Sequence, residues 1–476
     1  MSDYRVQQQY LNDAKPRYQE RCSQLAGKYP NLRNEDYKRW YPYPNPESRR
    51  VACFQFLPDG TVQDDRFNDT DSLMAFLAVE PSPSTRRLFI LESFNDKIRD
   101  LVSLKLDIDP QVFHRHTRIA IWESARTNAG NTPLLPSLID STRSWAMLYS
   151  QLMQLNLEKQ EFTLRCFGSE RHIASSRYDG KLDGIGSVSR KISFSGTCRG
   201  QDGWDGALFG THEKPEVARA IKAPQPWQGG YNDFIKYSTV QEAVDAETPP
   251  RTSTFDDLCF YHTHHCKHLQ LDSDPKSATT FAQKLVASEY MLLIEYNRFL
   301  LYHIGWKLSR RNNFEIFNSV WVEQTWSDLN SFHQRIQTHH QNIVMATADL
   351  ELKKSTTQGW MSTTEDFAHI EEQFLSLRQK AESLLDSFTG LAGIVGNHQS
   401  LDEARSVGLL TILGMAFVPL SLVASLFSMA DEYRPGAGDF WVYFAVSVPF
   451  VALIFAMVFL FMYWRRLRRR LKWITE

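Results

Sequence analysis

Residues 407–430 read VGLLTILGMAFVPLSLVASLFSMA, an uncharged run, and residues 440–464 read FWVYFAVSVPFVALIFAMVFLFMYW, a second one. Each exceeds the roughly 20 apolar residues that cross a hydrocarbon layer ~30 Å thick, and the pair predicts two transmembrane helices. Pro419 and Pro449 do not oppose this, because neighbouring membrane helices re-satisfy the backbone groups that proline frees. Trp441, Tyr443, Tyr463 and Trp464 stand at the ends of the second run, where aromatic belts form. Only residues 431–439 join the two runs, which predicts a tight hairpin loop. That loop holds Arg434 against Asp431, Glu432 and Asp439, whereas Arg465, Arg466, Arg468, Arg469, Arg470 and Lys472 follow the second run. The positive-inside rule then places both termini in the cytosol, with a multi-pass integral membrane topology.

Working outward, the residues ahead of the first run carry Phe374, Leu377, Ala381, Leu384, Phe388, Leu391 and Val395 at alternating steps of three and four. This is a heptad seam. It predicts either self-association about a common axis or packing of the helix within its own subunit. Continuing the register gives His398 and Asp402, and no proline interrupts residues 362–418. One helix therefore leads into the first span. Residues 277–309 and 314–352 also read as long helices, with Leu285, Tyr290, Leu293, Ile294, Phe299 and Leu300 on apolar faces.

The first 270 residues have a different grammar. Residues 51–57 and 61–67 flank Pro58-Asp59-Gly60, a hairpin signal. A helix near 71–79, a strand over 87–91, helices near 96–106 and 110–116, and strands over 162–167 and 191–197 follow. The stretch 200–250, rich in Gly, Pro and Trp, reads as a long insertion or loop. The fold class is an α+β membrane protein: a cytosolic α/β domain (1–270, insertion about 200–250), a helical stalk (271–405), a transmembrane hairpin (406–464, loop 431–439) and a basic cytosolic tail (465–476).

The chain has 53 Lys and Arg against 55 Asp and Glu, a formal net charge of −2. Without the basic tail the body is mildly acidic, which excludes nucleic-acid binding through many phosphate contacts. Six cysteines are scattered without close repeated spacing, so they read as reduced thiols rather than a disulfide framework or zinc ribbon. The N-terminus lacks the apolar core of a secretory signal, and the first part is expected to stay on the cytosolic side.

His262, His264, Cys266 and His268, with His265 between them, crowd into seven residues. As weak candidate ligands they suit Zn²⁺ chemically, although the spacing matches no standard site. On a strand His262, His264 and Cys266 share a face; on a helix His264 and His268 do. The alternative is a partly buried histidine patch. Gly184-Ile185-Gly186 lacks the Gly-Lys-Ser/Thr ending that cradles phosphates. There is no nucleophile elbow and no two-histidine zinc-protease motif. The chain is not expected to be an enzyme, and no resident cofactor is expected.

The run Leu410-Thr411-Ile412-Leu413, the segment from Phe417 to Met429, the short loop, the second span and the basic tail resemble the CorA metal ion transporter family, particularly its divergent fungal Mg²⁺/Zn²⁺ members. Leu88-Phe89-Ile90-Leu91-Glu92, Ile108-Asp109-Pro110 and Phe113-His114-Arg115-His116 are similar to the start of that family's cytosolic domain. The resemblance implies a homopentamer with a funnel-shaped cytosolic domain, a pore lined by the first span, and Mg²⁺ or Zn²⁺ as the transported or regulatory ion. The family ends its first span in Gly-Met-Asn; this chain has Ser428, Met429 and Ala430, so the amide at the pore mouth is gone.

Thr411, Gly414, Val418, Ser421, Ser425 and Ser428 recur at steps of three and four. They make one face of the first span small and largely hydroxylated, suited to lining a pore or to close helix packing. Ser428, Met429, Ala430, Asp431 and Glu432 form the expected selectivity mouth, and Asp402 the cytosolic mouth unless it pairs with Arg405. The expected function is a CorA-like divalent cation channel or transporter, with the bilayer and further copies of the chain as partners. The alternative is a membrane-anchored, non-conducting regulatory or scaffold protein of the same architecture.

Overall fold

The computed structural model describes residues 2–29, 32, 50–57, 59–92, 96–117, 144–154, 173–178, 181–200, 202–210, 225–310, 319–350, 359–428 and 438–475. The chain forms two compact units, residues 1–386 and 387–476.

The first unit is built on a mixed sheet. Its strands are β1 (Val51–Phe56), β2 (Val62–Phe67), β3 (Arg86–Leu91), β4 (Ser144–Gln154), β5 (Ile173–Tyr178), β6 (Lys181–Arg199), β7 (Gly203–Gly210) and the short β8 (Gln225–Pro226). The path runs β2-β1-β3-β7-β6-β4-β8, with β5 paired to β6 off that path. β3 and β7 are parallel, whereas the neighbouring pairs β1–β3 and β6–β7 are antiparallel. The β1–β2 hairpin closes where Asp59 accepts from Thr61 N–H at 2.9 Å and Gly60 takes a φ of 82°, a conformation that glycine adopts without steric cost. β2 carries Asp64, Asp65 and Arg66 on the sheet edge, and charge there discourages pairing with another chain.

Successive residues of a strand point to opposite faces, and both faces of this sheet are covered. Ala52, Phe54, Leu88, Ile90, Phe194 and Leu208 join one core with α6 (Thr254–His264), α7 (Thr280–Arg310), α8 (Ser319–Asp349) and the start of α9 (Thr363–Phe427). Val51, Cys53, Phe89, Leu91, Ala207 and Phe209 join a second core with α1 (Ser2–Leu25), α2 (Thr70–Ala78), α3 (Asp96–Lys105) and α4 (Pro110–Thr117). A short helix, α5 (Val240–Asp245), precedes α6 and carries no buried residue. The unit is thus a helix–sheet–helix sandwich, and β3 and β7 at its centre are buried almost throughout.

Two sequence expectations need correction. The stretch 200–250 is not wholly an insertion, because β7 is a central strand. Its glycines reflect close approach rather than a loop: a Cβ on Gly203 would lie 1.9 Å from the Pro83 carbonyl oxygen, and one on Gly206 3.0 Å from the Phe194 ring. The heptad seam is not free for self-association along its full length. Phe374, Leu377 and Ala381 are buried in the sheet unit's own core, with the Phe374 ring 5.9 Å from Tyr290 on α7 and 6.0 Å from His339 on α8. α7 and α8 already supply the apolar partner that the first half of the seam requires. The expected strand over 162–167 lies outside the described residues.

The second unit comprises the remainder of α9 and α10 (Trp441–Thr475). α9 continues through Pro419 and α10 through Pro449. Residues 400–425 are long and apolar enough to cross a membrane, and residues 441–457 form a shorter apolar helical stretch.

Candidate functional site

At about 100° per residue, Thr411, Gly414, Val418, Ser421 and Ser425 fall within one arc of α9 about 80° wide, and Ser428 follows one residue past the end of the helix. The structure leaves this arc open: all but the half-exposed Gly414 are exposed, and nothing lies within 4 Å of a Cβ built on Gly414. Pro419, Val423 and Ser447 are buried within the unit. The hydroxyl protons of the arc are partly committed. Thr411 Oγ1 donates to the Val407 carbonyl at 2.8 Å, and Ser425 Oγ donates to the Ser421 carbonyl at 2.8 Å. A hydroxyl that bonds back to the i−4 carbonyl presents its lone pairs outward and acts as an acceptor. A hydrated cation turns its water protons outward, so acceptors are the groups that match its shell.

At the other end of the apolar stretch, Asp402 is exposed and pairs with Arg405 at 3.2 Å, the second of the fates the sequence allowed. Met429, Ala430, Asp431 and Glu432 lie outside the described residues.

The histidine segment is helical, and it disperses its donors. His262 is fully buried on the last turn of α6, with its ring 5.2 Å from Phe54 and 5.2 Å from Phe281. Burial, with Arg66 adding to it, pushes its pKa down to about 3. His264 instead faces Glu247 at 3.4 Å. Cys266 and His268 belong to a single 3₁₀ turn, and the His268 ring lies 5.2 Å from Trp360. Burial lowers the pKa of both His265 and His268. Among the described residues no group of three or more His, Cys, Asp or Glu side chains could hold a metal ion; the helix turns the segment that sequence spacing brought together in different directions. The described cysteines are free thiols.

A helix as apolar as residues 400–425 occurs both in buried cores and in membranes. Here few of its residues are buried. Residues 325–469 match the family model described as CorA-like Mg²⁺ transporter protein, so the chain carries a CorA-like domain at its C-terminus. Among solved structures, the full-length CmaX protein aligns over 89% of this chain and 99% of its own, with 11% identity and a TM-score of 0.38. No curated protein matches the chain. The family is membrane-integral and, at the family level, transports divalent cations.

Sequence reading missed Glu289 and Lys284, two of the charged groups buried in the sheet unit. Glu289 had left a signal: it is a lone acid within Val286-Ala287-Ser288-Glu289-Tyr290-Met291-Leu292-Leu293-Ile294, an otherwise uncharged stretch where an acid demands a reason.

Proposed function

We propose that the chain is a divalent cation channel or transporter of the CorA type, oligomeric, with the hydroxyl-bearing arc of α9 lining the path. The observation that carries this is the set of exposed hydroxyls of Thr411, Ser421 and Ser425, two of which donate back to the helix and face outward as acceptors. Several copies facing a common axis would surround a narrow polar path without placing a formal charge in the bilayer, which is costly. The experiment is purification in detergent, oligomer counting, and Mg²⁺ and Zn²⁺ flux into liposomes. A protein that forms the oligomer but conducts neither ion would establish the non-conducting scaffold, the reading favoured by Ala430.

The mouth decides selectivity. Mg²⁺ gives up its water reluctantly and needs oriented dipoles around an octahedral shell, and the Ala430 side chain has none. The expected result is a weak preference for Mg²⁺ over Zn²⁺, raised by Ala430→Asn, alone or with Ser428→Gly, in a competitive flux assay. A strong Mg²⁺ preference in the unmodified protein that these changes leave untouched would assign the ring to backbone carbonyls instead.

Both termini are cytosolic in this scheme, because the six basic residues follow the second span. Single cysteines introduced before residue 400 should resist membrane-impermeant maleimide in intact cells. Labelling of those sites from outside would invert the topology.

A further inference from the structure

Glu289 lies on the sheet-facing side of α7 and is 3% exposed. Gln151 on β4 donates its amide to Glu289 Oε1 at 3.3 Å, and among the described residues Oε2 has no hydrogen-bond partner. The same Gln151 receives Arg190 of β6 on its Oε1, from Nε at 3.1 Å and Nη2 at 2.9 Å. A neutral amide therefore stands between the guanidinium and the carboxyl. From α6, the buried Asp257 adds a like charge, while its Oδ1 accepts the Arg251 N–H at 2.7 Å. The Arg190 and Arg251 guanidiniums favour the ionised form; the phenols of Tyr149 on β4 and of Tyr231 also act on it, and Tyr149 is already engaged with Thr254 at 2.6 Å. An ionised carboxylate in this place would have one long hydrogen bond and a buried acid for a neighbour, and low dielectric makes such a charge costly.

We propose that the Glu289 carboxyl is a proton-binding site that clamps α7 to the sheet: protonated, it sits neutral against Gln151, and loss of the proton adds a negative charge that Asp257 opposes and loosens α7 from β4. The site lies wholly in the sheet unit, so its test is independent of ion conduction.

Burial, reinforced by Asp257, pushes Glu289 up to about 8, and burial pushes Asp257 up to about 7. The native state then holds protons that the unfolded chain releases. This contribution is complete below the ordinary carboxyl range and is lost as pH rises toward 8. Between those limits each such group raises the opening constant by about tenfold per pH unit. Three histidines, His262 fully buried and His114 and His339 half-buried, act in the opposite direction and in a lower window. Burial lowers His262 to about 3 and His114 and His339 to about 4, so their contribution is present above their ordinary range and lost as pH falls.

The test is hydrogen exchange of the full-length protein in detergent between pH 6.5 and 8, corrected for the intrinsic exchange rate. Protection of α7 and β4 should fall with pH, and Glu289→Gln should reduce that slope by close to one proton. A pH-independent protection in the unmodified protein, or an unchanged slope in the variant, would overturn the proposal. Infrared titration of the unmodified protein keeps it falsifiable if Glu289→Gln does not fold. A protonated-carboxyl band at pH 6.5 should vanish by pH 9 and persist in Asp257→Asn; its absence at pH 6.5, or its loss in Asp257→Asn, would sink the idea.

Discussion

Replacing Lys284 by methionine should destabilise the sheet unit by about 3 kcal/mol, the order expected when one partner of a buried ion pair is removed. The ammonium is nearly enclosed and binds three acceptors: Asp366 Oδ2 at 2.6 Å, the Trp360 carbonyl at 2.6 Å and the Ser362 carbonyl at 3.2 Å. Methionine keeps the volume of the side chain but leaves all three oxygens without this donor. Asp366 retains some access to water, which keeps the cost short of the upper limit. The effect should concentrate where these acceptors lie, on the chain entering α9 and its first turn, which Thr363 also ties to Gln283 at 2.7 Å. Urea unfolding of the detergent-solubilised protein, followed by the fluorescence of the buried Trp145 and Trp204, measures it. An unchanged midpoint would mean that the three contacts contribute nothing net.

The second large effect concerns flux. Ser421→Leu with Ser425→Leu should reduce divalent cation flux in liposomes by about tenfold or more, because a hydrophobic constriction expels the water that an ion needs around it. Each copy would lose two hydroxyls and gain two branched side chains on the same arc. Leu413→Met and Leu420→Met, roughly 100–120° around the helix from the serine pair, should leave flux within about twofold, since volume-conserving apolar swaps are tolerated. Equal losses from both pairs would indicate damaged helix packing, and unimpaired flux in the serine pair would remove the arc from the ion path.

The elements most legible in the sequence were those whose pattern is local. The β1–β2 hairpin, α2, β3, α3 and α4 fall within a residue or two of the ranges read from the sequence, the hairpin from its Pro58-Asp59-Gly60 turn. β7 was not legible, because Gly203, Gly206 and Gly210 imitate a loop until the strands and chain that crowd them are in place. The seam on α9 was read correctly as apolar, but sequence spacing does not say whose side chains fill it. Tyr290 and His339 do so for Phe374, from positions far away in the chain. At the candidate site, the arc on α9 followed from spacing alone. The commitment of the Thr411 and Ser425 protons required backbone geometry, and the histidine cluster dissolved once α6 turned His262 into the core.

The parallel pairing of β3 with β7 has a consequence for how the protein is made. Arg86 must find Trp204, and every register partner of β3 in that pair is more than a hundred residues later. Such distant pairings are slow to form, so β3 emerges from the ribosome with one edge open and waits for most of the domain to be synthesised. Closure of the core waits longer still, since Phe367, Phe374 and Ala381 belong to it and the apolar stretch 400–425 follows shortly after. The last pieces of the soluble core and the first apolar segment therefore leave the translation machinery almost together. Exposed strand edges and apolar surface at that stage invite aggregation. A cell producing this chain must hold the nascent sheet in solution until the same moment at which it delivers the apolar helix to its destination.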